Sequence, residues 1–329
     1  MDLTFESEGG MAVIGIDLGG TKTAGLVLDG GGIVERCRID TDASSQDGVM
    51  RGLLVVCSRL REDAASRGVA VEAVGLGIAG FVDYERGVVT EAPNHPLRDA
   101  HVRDILMGSS GLPVFVDNDA NVAALAEARM GAGKGLRYLV HLTLGTGIGG
   151  GIIIDGQVYR GALGAAAELG HMIVCENGPP CNCGAHGCLE AMVSGVAICR
   201  RVEEMAAVGQ ASPMVEEFLA DPEAFSAEAV CRHADAGEGV ARDLLEQSGW
   251  HLGIGIASLV NIFNPDAVTL SGGLLGCLHH MEGAMRRSCE ENAIAISRDH
   301  VRILTGTLGE DGGMLGAALL AREGLNAGR

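Results

Sequence analysis

His171, Cys181, Cys183 and Cys188 crowd into one Gly- and Pro-rich stretch with the spacing H-x9-C-x-C-x4-C. One imidazole and three thiols are borderline-to-soft donors that suit tetrahedral Zn²⁺. With four protein ligands the ion has no open position, so it is expected to be structural, shaping the loop that leads to Glu190. The competing reading is a redox or incidental cysteine cluster. The N-terminus, MDLTFESEGG, lacks the basic and apolar regions of a signal peptide, and the expected location is cytoplasmic. Ten cysteines in a reduced compartment argue for metal over disulfides. Others, such as Cys57, Cys199 and Cys277, sit in apolar runs as small core residues.

A second constellation is Asp17-Leu18-Gly19-Gly20-Thr21-Lys22-Thr23, which has a near echo 126 positions later. IGIDLGGTKTAGLVLDGG lies over VHLTLGTGIGGGIIIDGQ, with Leu18, Gly19, Gly25, Asp29 and Gly30 on Leu144, Gly145, Gly151, Asp155 and Gly156. Each copy reads as strand, Gly/Thr turn, strand and Asp-Gly turn. Two such turns can present two sets of backbone N–H groups to one polyanion. Asp17 ends an apolar strand, where a carboxylate without a partner is costly. Beside a phosphate turn it suits a hydrated Mg²⁺ on ATP; the bland alternative is a plain hairpin with an acid at its rim. The second copy has Thr143 there, so metal positioning belongs to the first.

Asp117-Asn118-Asp119-Ala120-Asn121 joins a buried strand to a helix. A carboxylate at a helix N-terminus is stabilised in its charged form, ready to accept a proton. An ordinary N-cap accounts for one of these residues. An Asn–Asp pair could also orient and deprotonate a sugar hydroxyl.

Other chemistries are excluded. Gly75-x-Gly77-x-x-Gly80 and Gly145-x-Gly147-x-x-Gly150 match the dinucleotide fingerprint on paper, but neither leads from a strand directly into a helix. The Walker A pattern and the protein-kinase signatures are absent. A formal net charge of −19 disfavours nucleic acid and acidic membranes as partners. No unbroken apolar stretch reads as a spanning helix.

The elements that must position these residues follow from hydrophobic period. Strand, turn and strand run from Val13 to Leu28, with a third strand near Ile33–Ile39. A helix covers 48–67, strands cover 71–78 and 114–117, and a helix covers 120–130. A turn-rich stretch fills the chain up to Pro96. Residues 191–263 read as mostly helical, with breaks at Pro213 and Pro222. Strands at 267–270 and 301–304 precede a closing helix at 313–322. Alternating strands and helices in two similar halves predict a two-domain α/β protein with a cleft between the domains. The expected division is a leader at 1–11, a small domain at 12–119 plus 305–329 with the returning helix, and a larger domain at 120–304 carrying the zinc loop.

Together these motifs resemble the ROK family of sugar kinases, in its zinc-containing, glucokinase-like branch, within the actin-like ATPase (ribonuclease H-like) superfamily. The resemblance runs from Ile14 to the last helix. IDLGGTK (16–22) resembles the first phosphate loop, LGTGIGGG (144–151) the second, and VTLSGG (268–273) the adenosine strand and turn. ELGH (168–171) and CNCGAHGCLE (181–190) match the zinc-bearing branch.

By resemblance Asp119 is the general base. Gly80, Asn94, Asn118, Asp119, Glu168, His171 and Glu190 contact the sugar. Nucleotide and Mg²⁺ fall to Asp17, Gly19, Gly20, Thr21, Lys22, Gly145, Thr146, Gly147, Gly149, Gly272 and Gly273. His171, Cys181, Cys183 and Cys188 hold the structural Zn²⁺, with one nitrogen of His171 on the metal and the other toward a sugar hydroxyl. Ala79 stands where many members have proline, and Ala167 where glycine is common. APNHPLRD (92–99) resembles the glucokinase-type loop.

The implied activity is transfer of the γ-phosphate of ATP to the 6-hydroxyl of glucose, in a homodimer or homotetramer. Alternatives are a kinase for N-acetylmannosamine, N-acetylglucosamine or fructose, polyphosphate as donor, or a sugar-sensing transcriptional regulator. The regulator reading is disfavoured because about a dozen residues precede the first phosphate strand, and by the acidic balance.

Overall fold

The computed structural model describes residues 11–30 and 32–327; the leader expected over 1–11 falls, except for Met11, outside them. The chain divides into two compact units, one of Met1–Gly135, Gly151–Ala167 and Leu308–Arg329, the other of Leu136–Gly150 and Glu168–Thr307.

Unit 1 opens with β1 (Ala12–Leu18), β2 (Lys22–Asp29) and β3 (Gly32–Asp40), followed by α1 (Gln46–Ser66) and β4 (Val71–Ile78). Three short strands, β5 (Phe81–Asp83), β6 (Val88–Glu91) and β7 (Arg98–Ala100), make a small antiparallel sheet, the first two within the stretch read as turns and the third just beyond it. Then come α2 (Val102–Ser110), β8 (Val114–Asn118) and α3 (Asp119–Arg129). The main sheet has the order β3-β2-β1-β4-β8, with β1, β4 and β8 parallel.

Alternation along β1 and β4 sends side chains to opposite faces. Ile14, Ile16, Leu18, Val74, Leu76 and Ile78 join Leu53, Val56 and Leu60 of α1 in one cluster. Val13 and Ala73 join the returning helix through Met314, Leu315 and Ala318 on the other face. There the backbones nearly touch: a Cβ on Gly15 would lie 2.0 Å from the Met314 carbonyl oxygen, and one on Gly75 1.7 Å from that of Ala317. That contact accounts for Gly75, while at Gly77 a Cβ would lie 2.7 Å from Val122 Cγ2 of α3, so packing accounts for the pair whose dinucleotide reading was rejected.

Next along the chain are β9 (Leu139–Leu144), β10 (Ile148–Ile154) and β11 (Gln157–Val158). The helical region comprises α4 (Leu189–Val193), α5 (Gly195–Ala207), α6 (Pro213–Ala220), α7 (Ala227–Asp235) and α8 (Gly239–Phe263). It is followed by β12 (Ala267–Ser271), α9 (Leu278–Asn292), α10 (Ala295–Arg298), β13 (Arg302–Thr305) and the returning α11 (Gly312–Ala327). The second sheet has the order β11-β10-β9-β12-β13. Pro213 sits in the first turn of α6, where its missing N–H costs nothing.

The division differs from the one expected at 119/120. Residues 120–135 and 151–167 belong to unit 1, and 305–307 to unit 2. Val122 and Leu125 of α3 pack with Leu320 of α11. A Cβ on Gly151 would meet the Ala124 side chain at 2.5 Å. Buried faces, not the motif boundary, decide where the unit ends. Among the described residues no helix is long and apolar enough to cross a membrane.

Candidate active site

Unit 1 assembles the acidic residues. Asn118 caps α3, its Oδ1 accepting the N–H groups of Ala120 at 2.9 Å and Asn121 at 3.2 Å. Its Nδ2 donates to the Gly80 carbonyl at 3.1 Å, so two expected sugar contacts are tied together. With its oxygen committed, Asn118 has only an N–H to offer a ligand. Asp119 is the first residue of α3, and its Oδ1 accepts the Ala120 N–H at 2.8 Å. Burial pushes its carboxyl up, while the Ala120 amide, its own amide and the Asn118 side chain pull it down.

Asp17 occupies the end of β1 on the α11 face. A Cβ on Gly313 would stand 2.5 Å from its Oδ2, so the first turn of α11 lies against this carboxyl. Burial, reinforced by the charge of Asp119 and opposed by Arg38, pushes it up to about 7. The turn that follows closes with the Gly19 N–H on the Lys22 carbonyl at 3.0 Å. Thr41 holds it in place: its N–H donates to the Thr21 carbonyl at 2.9 Å and its hydroxyl to the Gly19 carbonyl at 3.1 Å. Asn94 stands beside this turn, its Cβ 3.7 Å from where a Gly20 Cβ would be.

Asp117 is only 2 % exposed, which demands a partner. Arg160 supplies it through Nε at 2.8 Å and Nη2 at 2.7 Å, and its guanidinium lies 3.9 Å from the centroid of the Tyr84 ring. Thr41, Tyr84 and Arg160 were missed by sequence reasoning. Arg160 has a local signal, a lone cation opening a Gly-rich segment after the second hairpin, but its partner lies 43 residues away.

Unit 2 builds the second turn differently. Gly145 N–H donates to the Gly147 carbonyl at 2.9 Å. The first amides of α5 cap the outside of the turn, Gly195 N–H on the Gly145 carbonyl at 2.9 Å and Val196 N–H on that of Thr146 at 3.4 Å. Glu190 accepts the Ile148 N–H at 2.9 Å. Gly272 has φ +95°, and a Cβ there would lie 2.3 Å from the Leu144 carbonyl oxygen. The expected adenosine turn, Gly272-Gly273, thus adjoins the second phosphate turn, and Gly149 follows on β10.

The four expected zinc ligands converge, with ligand atoms all within 4.8 Å of one another. His171 Nδ1 is 3.6 Å from Cys181 Sγ, and Cys183 Sγ is 3.6 Å from Cys188 Sγ. Two sulfurs about 2.3 Å from a tetrahedral ion stand roughly 3.8 Å apart, whereas a disulfide would hold them at about 2.05 Å. Burial pushes the Cys188 thiol up to about 12, and the hydrogen bonds it donates to the other two cysteines add to it. A cation reverses that preference, since a coordinated thiol deprotonates. The residues fit Zn²⁺. The other nitrogen of His171, Nε2, lies 3.9 Å from Glu168 Oε2. Ala167, where the family commonly has glycine, has φ +66°, a left-handed conformation that favours glycine.

The ROK family model matches residues 13–324. A glucokinase of Thermotoga maritima is 35% identical over 317 residues, 95% of this chain and 98% of the relative. The crystal structure of a ROK family glucokinase from Streptomyces griseus, in complex with glucose and AMPPNP, matches with a TM-score of 0.80 at 35% identity. It covers 95% of this chain and 99% of that one. A ROK family transcriptional regulator, a homologue of the E. coli MLC protein, matches with a TM-score of 0.85 at 28% identity, over 94% of this chain and 78% of that one. The fold is the two-domain α/β fold of actin-like ATPases.

Proposed function

The chain belongs to the ROK family, and from that premise we propose that it is an ATP-dependent glucokinase, a phosphotransferase acting on the 6-hydroxyl of glucose. The observation that carries the mechanism is Asp119. One of its oxygens is fixed by the helix amide, leaving the other to accept the proton of the attacking hydroxyl. Its raised affinity for a proton makes it a stronger base than an exposed aspartate. Asn118 donates to the sugar and so orients it, aided by Gly80 and Asn94; Glu168, His171 and Glu190 complete the hydroxyl contacts.

The two Gly/Thr turns offer backbone N–H groups to the phosphates, and Gly272-Gly273 borders the adenosine. Asp17 fits a hydrated Mg²⁺, because two carboxyls that push each other toward protonation are relieved by a cation. When bound, Mg²⁺ supplies positive charge to the β- and γ-phosphates. His171, Cys181, Cys183 and Cys188 would hold Zn²⁺ as a structural ion that fixes the loop before Glu190. The reading includes a cytoplasmic location and a homodimer or homotetramer.

ADP release across a panel of hexoses and N-acetylhexosamines tests it. The highest kcat/KM is expected with glucose and ATP. Preference for an N-acetylated sugar or for fructose would transfer the reading to another sugar kinase. Sugar binding without ADP release would favour a sensor, the second reading that the regulator's likeness supports. Asp119→Asn is expected to remove most turnover, roughly 10²- to 10⁴-fold, while sugar binding persists. Near-normal turnover in that variant would remove Asp119 from the role.

A further inference from the structure

Unit 2 contains a second convergence of metal-ligating side chains, far in sequence from the zinc loop. Cys231 and Asp235 stand one turn apart on α7, and His279 and His280 lie in the first turn of α9. One ligand atom from each lies within 4.8 Å of the other three. Both histidine Nε2 atoms sit 2.8 Å from the same oxygen, Asp235 Oδ1. Their ring centroids are 4.1 Å apart. Consecutive helical residues diverge by about 100° around the axis, so helix geometry alone does not aim two neighbouring imidazoles at one point.

The cluster is closed behind and open in front. Cys231 is 8 % exposed, and the His280 side chain 15 %, whereas those of Asp235 and His279 are 55 % exposed. An ion therefore has an entry path on the Asp235 side and a buried thiol at the back. Cys277, which precedes α9, directs its thiol at the Ala227 carbonyl at 3.7 Å and is not one of the four.

We propose that Cys231, Asp235, His279 and His280 form a second metal site, selective for Zn²⁺. One sulfur, two imidazole nitrogens and one carboxylate oxygen are the donor set Zn²⁺ takes, while Ca²⁺ and Mg²⁺ require oxygen throughout. Asp235 now bridges the imidazoles as an acceptor; with the ion between them, its exposed side chain pivots to become the fourth ligand. Four protein ligands leave no position for substrate, so the ion is a staple that ties α7 to the start of α9. That staple fixes the segment that follows the Gly272-Gly273 turn.

The test uses the full chain without an affinity tag, stripped by chelator and titrated with Zn²⁺, and with Co²⁺ as a spectroscopic probe. The parent is expected to bind about two ions per chain and the His279→Asn/His280→Asn variant about one, with kcat unchanged. Cys183→Ser/Cys188→Ser is expected to keep one ion, whose Co²⁺ complex shows the weak charge-transfer band of a single thiolate. If the double histidine variant fails to fold, Asp235→Asn and Cys231→Ser serve in its place, the former at an exposed side chain. An unchanged ion count in these variants, or a parent that binds one ion only, overturns the proposal and leaves a carboxylate-bridged histidine pair.

Discussion

The two Gly/Thr hairpins share a strand plan and differ in what holds their turns. Shifting β1 and β2 by 126 positions places their facing ends, Leu18 and Lys22, on Leu144 and Ile148, the ends of β9 and β10. The first turn is held by the hydroxyl and amide of Thr41. The second is held by Glu190 and the opening amides of α5. Where the first presents the half-buried acid Asp17, the second presents Thr143, whose hydroxyl is 3.3 Å from His141 Nε2 in a network with Ser271 and Thr269. The backbone plan fixes where amides can point. The residue facing it decides whether a carboxyl or a neutral hydroxyl network stands behind them.

Unequal substitution effects would sharpen this contrast. Asp17→Asn is expected to lower kcat roughly 10²- to 10³-fold, the scale of a lost electrostatic contact to the reacting groups, and Thr143→Val less than about tenfold. Steady-state kinetics over a Mg²⁺ series decides, and equal losses would make the hairpins equivalent.

A smaller effect concerns pH. Burial depresses His141 from its ordinary 6.5 to about 4. The unfolded chain therefore binds a proton between those values that the folded chain refuses. Stability contributed here is present above about pH 6.5 and is lost as pH falls toward 4, by up to ~3 kcal/mol from 1.4 kcal/mol per unit. Denaturant titrations should show His141→Gln flattening that slope, whatever it does to absolute stability; an unchanged slope would sink the assignment. Asp17, raised to about 7, has the opposite sign, favouring the fold at low pH.

Chelation should separate the hairpins again. With the proposed Zn²⁺ holding the loop before Glu190, its removal is expected to quicken hydrogen exchange at 145–148 and not at 19–22, and to raise KM for glucose roughly tenfold. Uniform exchange would break the link between metal and second turn. The smallest contrast is steric. A Cβ at Gly147 would lie 2.5 Å from Glu190 Oε2, but one at Gly19 3.1 Å from the Lys22 carbonyl oxygen. Gly147→Ala displaces the Glu190 carboxylate that holds the Ile148 amide, so it should cost several-fold more in kcat/KM than Gly19→Ala.

What could be read from sequence is what was local. The four expected zinc ligands span 18 positions, each quoted hairpin segment is the same length, and the Asp117–Asn121 run is shorter still. Thr41, Tyr84 and Arg160 act through partners that only the fold brings near. Strands of three or four residues, such as β5 and β7, are too short to show alternation. α9 was overlooked for its polar surface, although Met281, Ala284, Met285, Ser288 and Cys289 are buried at helical spacing. Asn118 illustrates a finer gap: its identity suited both a cap and a sugar contact, and only geometry shows its oxygen already engaged.

The return of α11 to unit 1 has a consequence in time. The face of the first sheet lined by Gly15 and Gly75 is shaped for a backbone that is synthesised after every other described element of both units. Until the chain has grown to α11, Val13, Leu26 and Ala73 have no cover from that helix, and Asp17 lacks the wall that Gly313 provides. A nascent chain therefore carries an open apolar surface from β1 until α11 emerges, in the state most exposed to aggregation. The same order withholds the wall beside Asp17 from any chain cut short before α11.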